Sequence, residues 1–178
     1  MHISFLFVAV LCLAVWAETP FLLQLLLFSC LHELCHLLAL LLFRRRPTAV
    51  RLSFFGAGME TQDTLGAWQE LLFLCSGVCF NFLMCAVFPK DTASFQVNLA
   101  LGFLNALPVF PLDGGRALRC ILSFFMPPER ARAVQFGVSV AVLLLLTGAA
   151  VYLLLCRNAP SLLLICVYLA VFLFKNAD

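Results

Sequence analysis

Charge is what this chain most lacks. Eleven basic and nine acidic residues among 178 leave 11% charged against 64% apolar, too little polar surface to cover a water-soluble domain of this length. The sequence also has no internal repeat and no low-complexity tail, and the lack of half-to-half symmetry counts against a transporter. A cysteine-rich extracellular module is missing as well. The nine cysteines are scattered, most of them through apolar stretches, and are read as small hydrophobic side chains. Cys75 and Cys79 lie one helical turn apart, but no nearby histidine or further cysteine pair completes a metal set with them. A formal charge of +2 says little by itself, and no direct nucleic-acid partner is expected.

What the chain does have is long apolar blocks, separated by short charged or proline-containing stretches. Against the roughly 20 residues that a helix needs to cross a bilayer, six spans are expected, near 1–17, 20–43, 71–88, 95–113, 134–156 and 159–174. The fold class is therefore an all-α polytopic membrane protein, organised as one domain over 1–178. Val15-Trp16-Ala17 resembles a signal-peptide cleavage site, but no positive region precedes it, so an uncleaved first span is the expectation. Threading six spans from the amino terminus puts nine basic residues on one side: Arg44, Arg45, Arg46, Arg51, Arg116, Arg119, Arg130, Arg132 and Lys175. Lys90 and Arg157 fall on the other. The positive-inside rule then makes both termini cytoplasmic.

Within the second block stands SCLHELCHLL, residues 29–38. Ionisable groups are costly in lipid unless they are paired, neutralised or bound to a metal. His32 and His36 are four residues apart, so a helix presents both on one face. Glu33 begins on the adjacent flank, where it can take a proton from water at a metal. Two ligands and a general base on one helix is the arrangement of zinc-dependent peptidases. The plainer reading is a pair of histidines bonded to neighbouring helices.

A catalytic zinc site wants a third protein ligand and an open position. His2 at the terminus reads as interfacial. Glu18, Asp91 and Asp178 fall in short loops or the tail, Glu60, Asp63 and Glu70 in the second loop, and Glu129 follows Pro127-Pro128 toward solvent. Asp113 differs, ending the fourth block in NALPVFPLDGGRAL, residues 105–118. Alone it reads as a helix-end charge paired with Arg116 or Arg119. Depth favours ligation instead, because the second and fourth spans both run toward the cytoplasm. Pro108 and Pro111 forbid a regular helix before Asp113, Gly114-Gly115 permit unusual backbone angles, and unwound backbone is tolerated where it lines a wet cavity.

HELCH and NALPVFPLDGG resemble the two signature motifs of site-2 proteases, the intramembrane zinc metalloproteases. The compact plan is most similar to the branch typified by stage IV sporulation protein FB. The resemblance covers residues 29–118. It implies one Zn2+ held by His32, His36 and Asp113, with Glu33 as catalytic base, and Asn105 and Pro108 shaping a substrate groove. SGVCFN, residues 76–81, is a weaker match, in which Gly77 and Asn81 fit and Val78 replaces a proline. Cys35 stands where glycine is common in the family and reads as a packing residue. That branch also carries a nucleotide-sensing module after its membrane core, and no such module is expected here.

Between the second and third blocks, RRRPTAVRLSFFGAGMETQD alternates apolar and polar residues around Phe54, Gly56 and Gly58, the period of a strand with a turn. It reads either as a short membrane-associated β-hairpin whose free edge takes up an extended substrate, which the resemblance favours, or as an interfacial loop whose arginines meet lipid headgroups. The resemblance further implies that the substrate is a membrane-tethered protein such as a pro-sigma factor, cut near the cytoplasmic face. The setting would be a bacterial cell membrane, such as the mother-cell membrane around a forespore, with an inhibitory membrane protein as a further partner. Two alternatives use the same residues: a metal or proton transporter, and an inactive relative that binds membrane proteins without cutting them.

Overall fold

The computed structural model describes residues 2–3, 20–44, 47–53, 56–61, 65–158 and 160–175. In order, the elements are β1 (His2–Ile3), α1 (Pro20–Leu42), β2 (Pro47–Ser53), β3 (Gly56–Thr61), α2 (Ala67–Val87), α3 (Ala93–Ala106), α4 (Asp113–Leu122), α5 (Pro128–Arg157) and α6 (Ser161–Lys175). Helices α1, α2 and α5 are long and apolar enough to cross a membrane, and α6 is a shorter apolar helix. Many of their large apolar side chains face outward, with Leu42, Leu145 and Leu155 all more than three-quarters exposed. A water-soluble fold would bury such residues, and a lipid solvent does not require it.

The chain divides into two compact units, Met1–Leu104 and Asn105–Asp178. In the first, α1 packs on α2. The buried positions of α1 are Phe28, His32, His36 and Leu40, and those of α2 are Phe73, Leu74, Gly77 and Asn81. Both sets recur about every fourth residue, so each is one stripe along its helix. His36 meets Phe73, His32 meets Asn81, and Phe28 stacks edge-on against Phe88 at 5.7 Å, so the two helices run antiparallel. Pro20 opens α1, and Arg44 follows its end in the left-handed region (φ 56°), where its N–H bonds the Leu41 carbonyl at 2.9 Å.

The first unit also holds a sheet of order β1-β2-β3. β1 pairs in parallel with β2, and β2 pairs antiparallel with β3, setting Arg51 opposite Gly58 and Ser53 opposite Gly56. Residues 2–3 were placed by the sequence in the first span. They form strand instead, since a backbone that meets the edge of β2 gains cross-strand hydrogen bonds there. The rest of that expected span lies outside the described residues, as does Phe54.

In the second unit α4 and α6 both pack on α5. The expected span 95–113 is broken. α3 stops at Ala106, because Pro108 and Pro111 offer no N–H to a helix and disfavour helical angles in the residues before them. At 14 residues, α3 is about 21 Å long, short of the roughly 30 Å hydrocarbon core. A loop over residues 107–112 follows, and Asp113 opens α4.

Candidate metal centre

His32 and His36 are both nearly fully buried, and their Nε2 atoms stand 3.1 Å apart. The outer nitrogen of each ring is held from α2. His36 Nδ1 lies 2.8 Å from the Phe73 carbonyl oxygen, which also accepts the Ser76 hydroxyl at 2.7 Å. A carbonyl can only accept, so His36 carries its proton at Nδ1 and turns a bare lone pair inward at Nε2. His32 Nδ1 lies 2.9 Å from the Asn81 amide. That amide serves either tautomer, giving Nδ2–H to a bare Nδ1 or, when turned over, accepting Nδ1–H at Oδ1. The second choice leaves both Nε2 atoms bare.

These residues fit a metal ion. Two lone pairs facing each other at this distance repel unless a proton or cation lies between them. Two imidazoles each about 2.0–2.1 Å from a tetrahedral ion bring their nitrogens to a similar separation. Gly77 is built for the same end. A Cβ at this position would lie 2.6 Å from His32 Nε2 and 2.7 Å from His36 Nε2, crowding the ground between them. Asn81 is fully buried, and whichever way its amide is turned, one of its two polar atoms faces the His32 ring. A buried amide costs free energy unless it is partnered, and here the partner is an imidazole.

Glu33 is half-buried on the flank of α1, turned about 100° from His32 around the helix axis. In the second unit, Asn105 lies in the last turn of α3, Pro108 in the loop, and Asp113 in the first turn of α4, all three half-buried. The glycines after Asp113 have no room for side chains. A Cβ on Gly114 would run into the Ala106 carbonyl, and one on Gly115 into the Val109 carbonyl carbon. Gly56 and Gly58 lie in β3. The structure thus brings His32 and His36 together in the first unit, and carries Asn105, Pro108 and Asp113 on consecutive segments of the second.

Sequence reasoning gave no role to Ser76 or to the Phe73 carbonyl, and marked Asn81 only as a motif match. The signal for Asn81 was present, since it is an amide four residues after Gly77 on a mainly apolar helix, and buried amides need partners.

A helix bearing HExxH among apolar spans is the pattern expected of membrane zinc peptidases. Residues 92–147 match the family model described as Peptidase family M50. Stage IV sporulation protein FB of Bacillus subtilis is 28% identical over 168 residues, covering 87% of this chain and 58% of that protein. A zinc metalloprotease of Methanocaldococcus jannaschii is 44% identical over 54 residues, 29% of this chain and 16% of that one. The chain therefore spans little more than half the length of the first relative, and far less of the second. The solved structure of the site-2 protease from Methanocaldococcus jannaschii superposes with a TM-score of 0.70 at 22% identity, covering 97% of this chain and 87% of that one, which shows a shared fold. Over these stretches the chain is similar to the site-2 proteases.

Proposed function

We propose that the chain is an intramembrane zinc endopeptidase that cuts a membrane-tethered protein in or beside its transmembrane segment, near the cytoplasmic face. The observation that carries this reading is the 3.1 Å approach of the His32 and His36 Nε2 atoms, with His36 fixed by a carbonyl in the tautomer that leaves Nε2 bare. Asp113 supplies the third ligand in this proposal. The segment bearing it falls within the residues that match the peptidase family, and a His2Asp set suits zinc.

When bound, the zinc ion supplies Lewis-acid activation of water and of the scissile carbonyl. The Glu33 carboxylate accepts a proton from the attacking water as the new C–O bond forms. It then passes that proton to the amide nitrogen as the C–N bond breaks, so one residue serves as base and then as acid. Asn105 and Pro108 shape the groove that receives the substrate. β3, with Gly56 and Gly58, offers its outer edge to the substrate backbone, and Phe54 lies beside it in sequence. A transmembrane helix hides its amides, so pairing with a strand edge would hold the cut region extended.

The proposed substrate is a regulator released from the membrane by cleavage, such as a pro-sigma factor, a reading supported by similarity to a sporulation protein. The proposed setting is a bacterial cell membrane, the mother-cell membrane around a forespore being the most specific case. Both termini are cytoplasmic, and an inhibitory membrane protein is a further partner. Co-expression with a tethered pro-sigma reporter tests the enzyme reading. Wild type should process it, and Glu33→Gln should lose cleavage while keeping its zinc by elemental analysis. Equal processing by the two proteins would sink the proposal.

A further inference from the structure

The loop that ends at Asp113 is held by two buried polar side chains that none of the motifs includes. Pro108 and Pro111 have no N–H. Val109 N–H bonds the Leu107 carbonyl at 2.8 Å, and Leu112 N–H bonds the Val109 carbonyl at 2.9 Å. Phe110 N–H instead leaves the loop and donates to Ser139 Oγ on α5 at 3.1 Å. Ser139 is fully buried and Gln135, one turn earlier, nearly so.

The Ser139 hydroxyl has no capacity to spare. Besides Phe110 N–H it accepts Gln135 Nε2–H at 2.8 Å, and its own proton goes to the Gln135 carbonyl at 2.8 Å, with the Pro108 carbonyl at 3.3 Å. A hydroxyl offers one donor and two lone pairs, and all three are engaged. Two polar residues one turn apart inside an apolar spanning helix are costly unless they do something. Serine bonding back to its own helix would be satisfied without Gln135 and without the loop. Here the second lone pair is turned on a backbone amide that no helix or strand serves. The Phe110 ring adds a second anchor, 6.0 Å from the ring of Phe172 on α6.

We propose that Gln135 and Ser139 form a positioning latch, which fixes the Asp113 loop through Phe110 N–H in the shape that metal binding requires. The proposal rests on the reading of Asp113 as a ligand. Neither latch residue touches the reacting atoms. Their effect passes through the loop, as hydrogen-bonded residues behind metal ligands act elsewhere.

Ser139→Thr and Ser139→Val test it, being equal in bulk and differing only in the hydroxyl. The full chain in detergent would be assayed for amide exchange at Phe110, zinc affinity by chelator competition, and the visible spectrum of the cobalt-substituted protein. Ser139→Val should expose the Phe110 amide, weaken zinc by about 10–100-fold, and shift the cobalt bands toward those of Asp113→Ala. Ser139→Thr should stay close to wild type in all three. Gln135→Met should move the same readouts in the same direction by less, and it decides the matter if neither Ser139 variant folds.

If Val and Thr behave alike while Asp113→Ala loses metal, the latch is wrong and the ligand reading stands. If Asp113→Ala keeps wild-type affinity and spectrum, the ligand reading falls and the latch proposal falls with it.

Discussion

His32 and His36 differ in how their outer nitrogens are held, and the difference decides which neighbours matter. His36 leans on a main-chain carbonyl, and His32 on the Asn81 side chain. Removing the Asn81 amide therefore acts on His32 alone. Asn81→Leu should weaken zinc about 10–100-fold in a chelator titration. Asn81→Asp keeps an acceptor for Nδ1–H and should retain most of the affinity. Gly77→Ala should be harsher, since the new methyl presses on both ring nitrogens. Purified Gly77→Ala is expected to carry far less than one zinc per chain by elemental analysis, and full occupancy would refute the steric account. The histidine pair was legible in the sequence because four-residue spacing on a helix leaves little choice of face. Of their supports only Asn81 was, as a motif match, while Ser76 and the Phe73 carbonyl were not. Serine, asparagine and glutamine carry no periodic signal, and their worth depends on which atom of another helix lies opposite.

At the scale of elements, the break after α3 was readable and the strand at the amino terminus was not. Pro108 and Pro111 exclude a continuous helix whatever packs around them, a local effect written in two residues. A pair such as His2–Ile3 becomes strand only by meeting Arg51 and Leu52 of β2, some fifty residues away, and no local pattern contains that. The small-residue turn into α4 yields the next prediction. Gly114 and Gly115 pack against carbonyl groups of the preceding segment, and backbone cannot swing aside as a side chain can. Gly114→Ala should cost about 1–3 kcal/mol, seen as a lower thermal midpoint in detergent. A midpoint equal to wild type would argue against so tight a turn. Gly137 and Gly148 on α5 have open space where a Cβ would go, so alanine there should be tolerated in the same assay and serves as the control.

For the whole molecule, composition had already decided the solvent. Helices that leave leucines outward along α1 and α5 have nowhere stable to be but lipid. The protein should stay in the membrane pellet through an alkaline carbonate wash and enter solution only with detergent. The positive-inside count further predicts that green fluorescent protein fused after Asp178 will fluoresce, since it folds in the cytoplasm. A periplasmic alkaline phosphatase at the same point should be silent, and the reverse pattern would overturn the topology. What the sequence could not supply at this scale was the division of the chain into two units: His32 and His36 lie in the first with Ser76 and Asn81, and Asp113 lies in the second with its loop.

The bond from His36 to the Phe73 carbonyl has a consequence for how the protein tolerates change. Every residue offers the same carbonyl, so exchange of the aromatic at 73 leaves that anchor chemically intact, whatever it does to the neighbouring packing. The anchor is lost when α2 slides along α1, and a shift of one turn, about 5.4 Å, would carry the oxygen out of reach. The proton on His36 is thus tied to the alignment of two helices, so a perturbation far from the histidine pair that shears those helices would change which nitrogen carries it without altering any residue nearby.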